Sequence, residues 1–238
     1  DYDAAIRSFR EYIEKTKKGS ERVPYAAYYI ALICQETKKY DDAIKEFTAW
    51  AKNYPDHKLL PSILFLLAQT YESKKDLASA NVNYDRIVKE FKTNEQLAPR
   101  AQFNKAVNLF HLKKKPEGII ALDELIKLFP DHPLTPVAYN YKADELKNAG
   151  KFDEAIAAYK ELIEKFPGTE SAAEGLMSIG NLNVERASKM ASNPKNLSPE
   201  KQKDWNDLIQ KAQDSYEEIL NNEKYSSFAT VDKSLSEL

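Results

Sequence analysis

Apolar residues recur at every third or fourth position along most of this chain, and polar residues fill the positions between them. The stretch 151–172 shows the pattern most clearly. Its apolar positions are Ala155, Ile156, Tyr159, Leu162, Ile163 and Phe166. They lie on one side of a helix, and Pro167 and Gly168 are expected to end that helix. The spacing predicts an amphipathic helix that packs against other helices.

The same pattern returns at steps of 37 or 38 residues. Within each repeat, two small residues lie 12 positions apart in successive predicted helices: Ala31 with Ala43, Ala68 with Ala80, Ala106 with Gly118, and Ala143 with Ala155. A later pair, Gly180 with Ala212, is separated by 20 additional residues. Helix axes that cross at roughly 8–10 Å require short side chains at the contact. We therefore expect antiparallel helix pairs stacked into a solenoid.

Prolines mark the start of the predicted pairs. Pro24, Pro61, Pro99 and Pro136 follow one another at spacings of 37, 38 and 37 residues, and a proline is well tolerated in the first turn of a helix. The predicted organisation is a single array over residues 1–238, with a partial pair at 1–17, full pairs at 21–55, 58–92, 96–130 and 133–167, an extended pair at 170–222 and a truncated pair at 227–238. No stretch is typical of a strand, so the fold class is all-α, with about 11 to 12 helices.

The extended pair contains a polar insertion at 186–204, which includes Pro194 and Pro199. We interpret it as two lengthened helices joined by a loop near 192–198, with the last helix resuming its apolar stripe over 204–222. Polar insertions in repeat proteins lie in surface loops. Two interpretations stay open, a solvated extension without a role and an arm that binds a partner.

Composition and charge exclude several classes of function. Lysine and arginine together number 35 against 37 aspartates and glutamates, so there is no basic excess and nucleic acid is not an expected partner. No apolar run reaches roughly 18 residues, so no membrane span is predicted. Cys34 is the one cysteine of the sequence, which excludes an internal disulfide and favours a buried structural thiol. The chain starts at Asp1 inside a repeat, which indicates a piece of a longer protein.

Candidate catalytic and metal-binding residues are sparse. His57 and His132 occur in the same Pro-Asp-His phrase, 75 residues apart, which favours a structural role at repeat junctions. Three histidines and one cysteine have no spacing suited to zinc, and the six glycines form no phosphate-binding loop. Adjacent carboxylates such as Asp41 and Asp42 do not converge on one point of a helix surface, so we interpret them as solvated partners of the helix dipole. The sequence predicts no catalytic residue, no metal and no cofactor.

With these positions laid out, the chain resembles the tetratricopeptide repeat family. The residues that carry the resemblance are Ala31, Ala43, Phe47 and Pro55 in one repeat, and Ala143, Ala155, Tyr159 and Pro167 in another. The repeats depart from the family norm of about 34 residues, and Lys92 replaces one closing proline. Gly118 and Gly180 are treated as equivalents of alanine. The resemblance implies a right-handed superhelical solenoid that acts as a non-enzymatic scaffold for protein interactions.

A narrower resemblance concerns the linkers between pairs. The segments FPDHPLTPVA and FPGTESAAEG are similar to the phrase FPxSxxAxxA of bacterial envelope members of the family, the outer-membrane assembly lipoprotein and the periplasmic partner of the Tol-Pal system. This resemblance implies a role in a cell-envelope assembly, in the periplasm or at the outer membrane.

The resemblance also implies a concave groove lined by the first helix of each pair. The matching positions are Tyr25, Tyr28, Tyr29, Leu32, Phe65, Gln69, Arg100, Phe103, Asn104, Asn140, Tyr141 and Asp144. Tyrosines offer a large contact area with a polar tip, which suits a peptide or a folded protein partner. Alternatively, several of these rings pack between repeats. Two other functions stay open, a scaffold that forms homo-oligomers through its terminal helices and an all-α enzyme built from toroidal repeats.

Overall fold

The computed structural model describes residues 1–17, 20–191 and 193–225. These residues form eleven α-helices and one 3-10 turn at Pro194–Asn196, without any strand. The helices are α1 Tyr2–Lys15, α2 Val23–Glu36, α3 Tyr40–Asn53, α4 Leu60–Ser73, α5 Leu77–Glu90, α6 Ala98–His111, α7 Lys115–Leu128, α8 Leu134–Asn148, α9 Phe152–Lys165, α10 Glu170–Met190 and α11 Pro199–Asn221. The predicted all-α fold is confirmed for this part of the chain. The truncated pair predicted at 227–238 lies outside the described residues.

Two compact units divide the chain, an N-terminal unit Asp1–His132 and a C-terminal unit Pro133–Leu238. In the N-terminal unit each helix from α1 to α6 packs against the next one along the chain, so that the series ends at α7. In the C-terminal unit α8 packs on α9, and α10 packs on α8, α9 and α11. The continuous array over 1–238 stays a prediction.

Local sequence explains where the helices of each pair begin and end. Pro24, Pro61 and Pro99 lie in the first turns of α2, α4 and α6, where a missing N–H leaves no helical hydrogen bond unmade. The turn to the second helix passes through the left-handed region at four equivalent positions, Lys38, Lys75, Lys113 and Gly150, with φ of 59°, 64°, 59° and 75°. Only one of the four is glycine, the residue that adopts this conformation without a steric penalty.

Small residues lie at the helix crossings. Ala31, Ala43, Ala68, Ala80, Ala106, Ala143 and Ala155 are 0% exposed and Ala212 is 1% exposed. The two glycines, however, are not equivalents of alanine. A Cβ on Gly118 would lie 2.7 Å from the ring of Phe110, and one on Gly180 would lie 2.3 Å from the ring of Tyr216. At these crossings an aromatic ring occupies the space that a methyl group would need.

Aromatic side chains anchor the core of the N-terminal unit. Trp50 is 1% exposed, and its indole N–H donates to the carbonyl of Pro24 over 2.6 Å. The imidazole of His57 lies edge-on to Trp50 at 5.3 Å and to Tyr25 at 5.4 Å, and its Nδ1 accepts from the amide of Leu59. His57 therefore holds the start of α4 against the preceding helix pair.

The C-terminal unit contains the two longest helices, α10 with 21 residues and α11 with 23. α11 begins at Pro199, directly after the loop predicted near 192–198 and five residues before the apolar stripe predicted over 204–222. Ser198 precedes it with an extended backbone and Glu200 lies in its first turn, so the polar residues before the apolar stripe are already helical. Tyr225 is 1% exposed and packs in a cluster with Leu176 and Ile219.

Candidate functional site

Three rings form a partly exposed aromatic patch on α1 and α2, which we define as the half-buried Phe9 and Tyr28 and the exposed Tyr29. Tyr29 stacks on Phe9 with ring centroids 5.6 Å apart, and Tyr28 is tilted against Tyr29 at 5.4 Å. Tyr29 is 47% exposed. Burial, and secondly the neighbouring Tyr29, raise the pKa of the Tyr28 phenol. The patch thus offers the protonated hydroxyl of Tyr28 and rings that their neighbours already hold in place.

The other predicted residues of α2 contribute less surface. Tyr25 is half-buried beside His57, and Leu32 is half-buried against the core. On α2, the exposed contact area therefore lies mainly at Tyr29.

Phe65 lies in the interior and Arg100 lies on the surface above it. Phe65 is only 5% exposed and lies edge-on to the ring of Tyr84 at 5.4 Å. The exposed guanidinium of Arg100 lies over the Phe65 ring, 4.9 Å from its centroid. Phe65 is therefore a core residue over which Arg100 lies. Gln69 and Phe103 are half-buried.

Asn104 makes a hydrogen bond inside the N-terminal unit. Its amide donates to the hydroxyl of Tyr84 over 3.0 Å, and Tyr84 is 0% exposed. Burial raises the pKa of Tyr84 far above its ordinary value, so the phenol stays protonated. A neighbouring amide, Asn108, donates to Glu72 at 2.8 Å and to Asn81 at 3.0 Å. These bonds satisfy polar groups that α4, α5 and α6 bury between them.

The predicted residues of α8 make similar contacts within the C-terminal unit. The Tyr159 hydroxyl donates to Oδ1 of Asp144 over 2.7 Å, and Asn140 donates to Oε2 of Glu174 over 2.6 Å. Burial is the main cause that raises the pKa of Tyr159 and of Glu174. Tyr141 is half-buried. The polar groups on this face therefore form hydrogen bonds between helices. Only their unused donor and acceptor positions are available to a partner.

A groove that the sequence did not reveal lies among α9, α10 and α11, with a volume of about 950 Å³. The polar insertion made the lengthened helices recognisable. The apolar spacing of Ile156, Ile163 and Leu208 also identified the sides of α9 and α11 that face other helices. Neither signal indicates that α9 and α11 leave a space between them above α10.

Reactive side chains form no recognisable site among the described residues. No cluster of three or more potential metal ligands occurs in this part of the chain. Cys34 is 3% exposed, and burial raises the pKa of its thiol, which leaves it a weak nucleophile. Among the helices described, none combines the length and apolar character needed to cross a bilayer.

The sequence model of the tetratricopeptide repeat family matches residues 1–58, 65–133 and 142–188. This chain belongs to that family. Its repeats form scaffolds that commonly bind other proteins, and family members are generally not enzymes. A search of curated proteins found no match to the sequence.

Solved structures show the same fold at low sequence identity. The chain is similar to a crystal structure of MamA, with 19% identity, a TM-score of 0.54 and coverage of 86% of this chain and 97% of that one. It is also similar to a tetratricopeptide repeat protein from Parabacteroides merdae, with 16% identity, a TM-score of 0.53 and coverage of 100% and 90%. The apo form of RapI gives 10% identity, a TM-score of 0.58 and coverage of 93% and 72%. Similarities at this level concern the fold alone.

Proposed function

We propose that this protein is a non-enzymatic scaffold that binds a peptide or a folded protein on the face formed by the first helices of its pairs. The aromatic patch carries the proposal. Its outermost ring, Tyr29, is 47% exposed and is held between Phe9 and Tyr28. An ordered aromatic ring offers contact area without a further cost of ordering, which is characteristic of interaction hot spots.

Arg100 extends the proposed contact surface along the N-terminal unit. Its guanidinium is exposed and lies over Phe65, so the planar group is oriented before a partner arrives. An arginine held in this way can donate paired hydrogen bonds to a carboxylate or to backbone carbonyls. The proposed partner therefore presents an apolar residue to Tyr29 and an acceptor group to Arg100.

We place the scaffold in a bacterial cell-envelope assembly. The support is the pair of linker segments at 129–138 and 166–175, which are similar to a phrase of envelope members of the family. Fractionation of the producing cells, followed by detection of the protein, tests this location. Recovery in the cytoplasmic fraction alone would contradict it.

Site-specific photo-crosslinking tests the binding face. A photoreactive phenylalanine analogue at position 29 is expected to capture a partner protein in the producing cells, whereas the same analogue at Val82 is not. Val82 is a suitable control because it is 68% exposed and lies on α5, the second helix of its pair. Crosslinks from position 82 alone would argue against the proposed face, and crosslinks only to a second copy would indicate self-association.

The captured partner then allows a quantitative test. Tyr29→Ala is expected to weaken its binding by about tenfold or more, as truncation of an interface hot spot does. Thermal stability should change little because Tyr29 is 47% exposed and lies outside the buried core. Unchanged affinity in the variant would remove Tyr29 from the site.

A further inference from the structure

The groove among α9, α10 and α11 is separate from the face proposed above. α10 contributes Leu176, Ile179 and Asn183 to the groove. Glu174 of the same helix does not line the groove, and it accepts from Asn140, one of the residues predicted for that face. Because α10 packs against both α9 and α11, it forms the floor of the groove, and its two flanking helices form the walls.

Apolar side chains run along this groove. Ile156 and Ile163 lie seven residues apart on α9 and are half-buried, as is Leu208 on α11. Leu176 and Ile179 of the floor are 4% and 5% exposed. Residues seven apart lie on the same side of a helix, so the α9 wall presents two isoleucines to the same space. An apolar strip flanked by helices is the surface that binds an amphipathic helix in helix-in-groove recognition.

The cations of the groove are mostly engaged by neighbouring side chains. Arg186 pairs with Asp153 at 2.9 Å, and Lys211 pairs with Asp207 at 2.6 Å. Lys189 pairs with Glu185 at 2.6 Å and also lies over a phenylalanine ring. Lys160 is the one remaining cation of the lining for which no ion pair occurs among the described residues.

Among the residues described, six carboxylates line the groove against these four cations. Glu164, Asp204, Asp214 and Glu218 line it, and no cation pairs with any of them in the part of the chain that the structure describes. Three of the four lie on α11, so this wall is acidic. From Asp204 to Glu218 the wall extends over 14 residues, or about 21 Å at about 1.5 Å per residue.

We propose that this groove binds a cationic amphipathic helix of another protein, about four turns long. Its apolar side chains would pack on the strip of isoleucines and leucines, and its lysines or arginines would lie along the acidic wall of α11. Charge also disfavours the chain's own residues 226–238 as the occupant, because they contain one lysine and two carboxylates. Opposite charges on the two surfaces speed association and select the partner.

The test uses the whole chain and two synthetic peptides of about 15 residues. Both carry leucines at helical spacing, and their remaining positions are lysine in one peptide and glutamate in the other. Fluorescence anisotropy is expected to show binding of the lysine peptide that weakens as salt increases, and no binding of the glutamate peptide. Equal binding of both peptides, or of neither, would overturn the proposal.

Charge-matched variants locate the binding site. The double variant Asp214→Asn, Glu218→Gln is expected to weaken binding of the lysine peptide roughly 2- to 30-fold, which corresponds to two ion pairs. Its control, Glu200→Gln with Glu217→Gln, makes the same change in charge on exposed positions of α11 outside the groove and should leave affinity unchanged. If both double variants bind equally well, the peptide is attracted to the overall charge and not to the groove.

Apolar variants and a shortened chain complete the test. Leu208→Gln should weaken binding, whereas Leu220→Gln should not, since Leu220 is 57% exposed on the same helix and does not line the groove. Circular dichroism of each variant confirms that the helices are intact. A chain that ends at Tyr225 should bind as the whole chain does. If the peptide binds only this shortened chain, residues 226–238 are the occupant of the groove and the proposal is wrong.

Discussion

The hydroxyl of Tyr159 on α9 donates a hydrogen bond to Oδ1 of Asp144 on α8, with 2.7 Å between the oxygens. Tyr159 is 0% exposed, so its phenol needs a hydrogen-bond acceptor inside the protein. The bond fixes an aspartate that the sequence pattern assigned to partner binding. The packing of the C-terminal unit therefore sets the position of a carboxylate on the face formed by its first helices.

Loss of this hydroxyl should destabilise the protein. Tyr159→Phe keeps the ring and removes the donor, and we expect a decrease of about 1–3 kcal/mol in the free energy of unfolding, as for hydrogen bonds to charged groups. Urea denaturation provides the measurement. Tyr12→Phe is the control because Tyr12 is 38% exposed, and its change should stay within about 0.5 kcal/mol. Equal effects would mean that the Tyr159 bond adds no stability.

Two glycines of α10 should respond in opposite directions to the same substitution. Gly180→Ala is expected to lower stability by about 1–3 kcal/mol through overpacking, because its Cβ would lie 2.3 Å from the ring of Tyr216. Gly175→Ala meets its nearest atom at 3.4 Å and should be neutral or stabilising by up to about 1 kcal/mol, as alanine favours helix over glycine. Thermal denaturation of the two variants side by side tests the contrast. A tolerated Gly180→Ala would show that the Tyr216 ring moves aside easily.

Two substitutions at the left-handed turn positions should also change stability in opposite directions. Lys75 has a φ of 64° and Gly150 a φ of 75°, a conformation that costs a residue with a side chain about 1–2 kcal/mol. Lys75→Gly should therefore stabilise the fold by about 0.5–1 kcal/mol, with part of the gain offset by the greater chain entropy of unfolded glycine. Gly150→Ala should destabilise it by about 1 kcal/mol, since no neighbouring atom of the described residues lies within 4 Å of its Cβ position and only the backbone is strained. Chemical denaturation of both variants measures the change in the free energy of unfolding. If the two changes have the same sign, the explanation is wrong.

Glu174 should make stability depend on pH. Burial, followed by the charge of Glu170, raises its pKa above the ordinary value of 4.5. The folded state then holds the proton more tightly than the unfolded state, so the stabilisation is complete below pH 4.5 and is lost as the pH rises through the folded pKa. Glu174→Gln keeps an acceptor for Asn140 but cannot ionise. We expect the variant to be more stable than the wild type near pH 7, with an advantage that shrinks near pH 4.

Thermal denaturation across this pH range measures the effect. The exposed substitution Glu217→Gln, on α11, is the control for the change in net charge. A constant difference between Glu174→Gln and the wild type at all pH values would mean that ionisation of Glu174 is not responsible.

Most of the architecture could be predicted from the sequence because helical periodicity and prolines act locally. Pro24, Pro61 and Pro99 lie in first turns as expected, and the apolar stripe of 152–165 is the buried side of α9. The first five residues of α11, 199–203, precede the predicted apolar stripe of 204–222 because the first turns of this helix are polar. A surface helix extension carries no apolar stripe, so periodicity alone does not detect it.

The candidate site could be predicted only in part. Sequence position placed Phe65 and Tyr29 on the same face, yet Phe65 is 5% exposed and Tyr29 is 47% exposed. The difference arises from the neighbours of each ring, since Phe65 is covered by Tyr84 and Arg100. The groove among α9, α10 and α11 was not predicted, because it depends on the space between helices.

The sequence by itself determined the repeating helix pairs, the residues that meet where helices cross, and membership of the tetratricopeptide repeat family. Spacing along the chain is sufficient for these, because it decides which side of a helix faces inward. Only the tertiary structure decided that Asn104 and Asp144 are used inside the protein, that Gly180 has no room for a methyl group, and that a groove with an acidic wall lies beside α10. Each of these depends on contacts between residues 15 or more positions apart, and such contacts are set by packing in three dimensions, which helical periodicity does not encode.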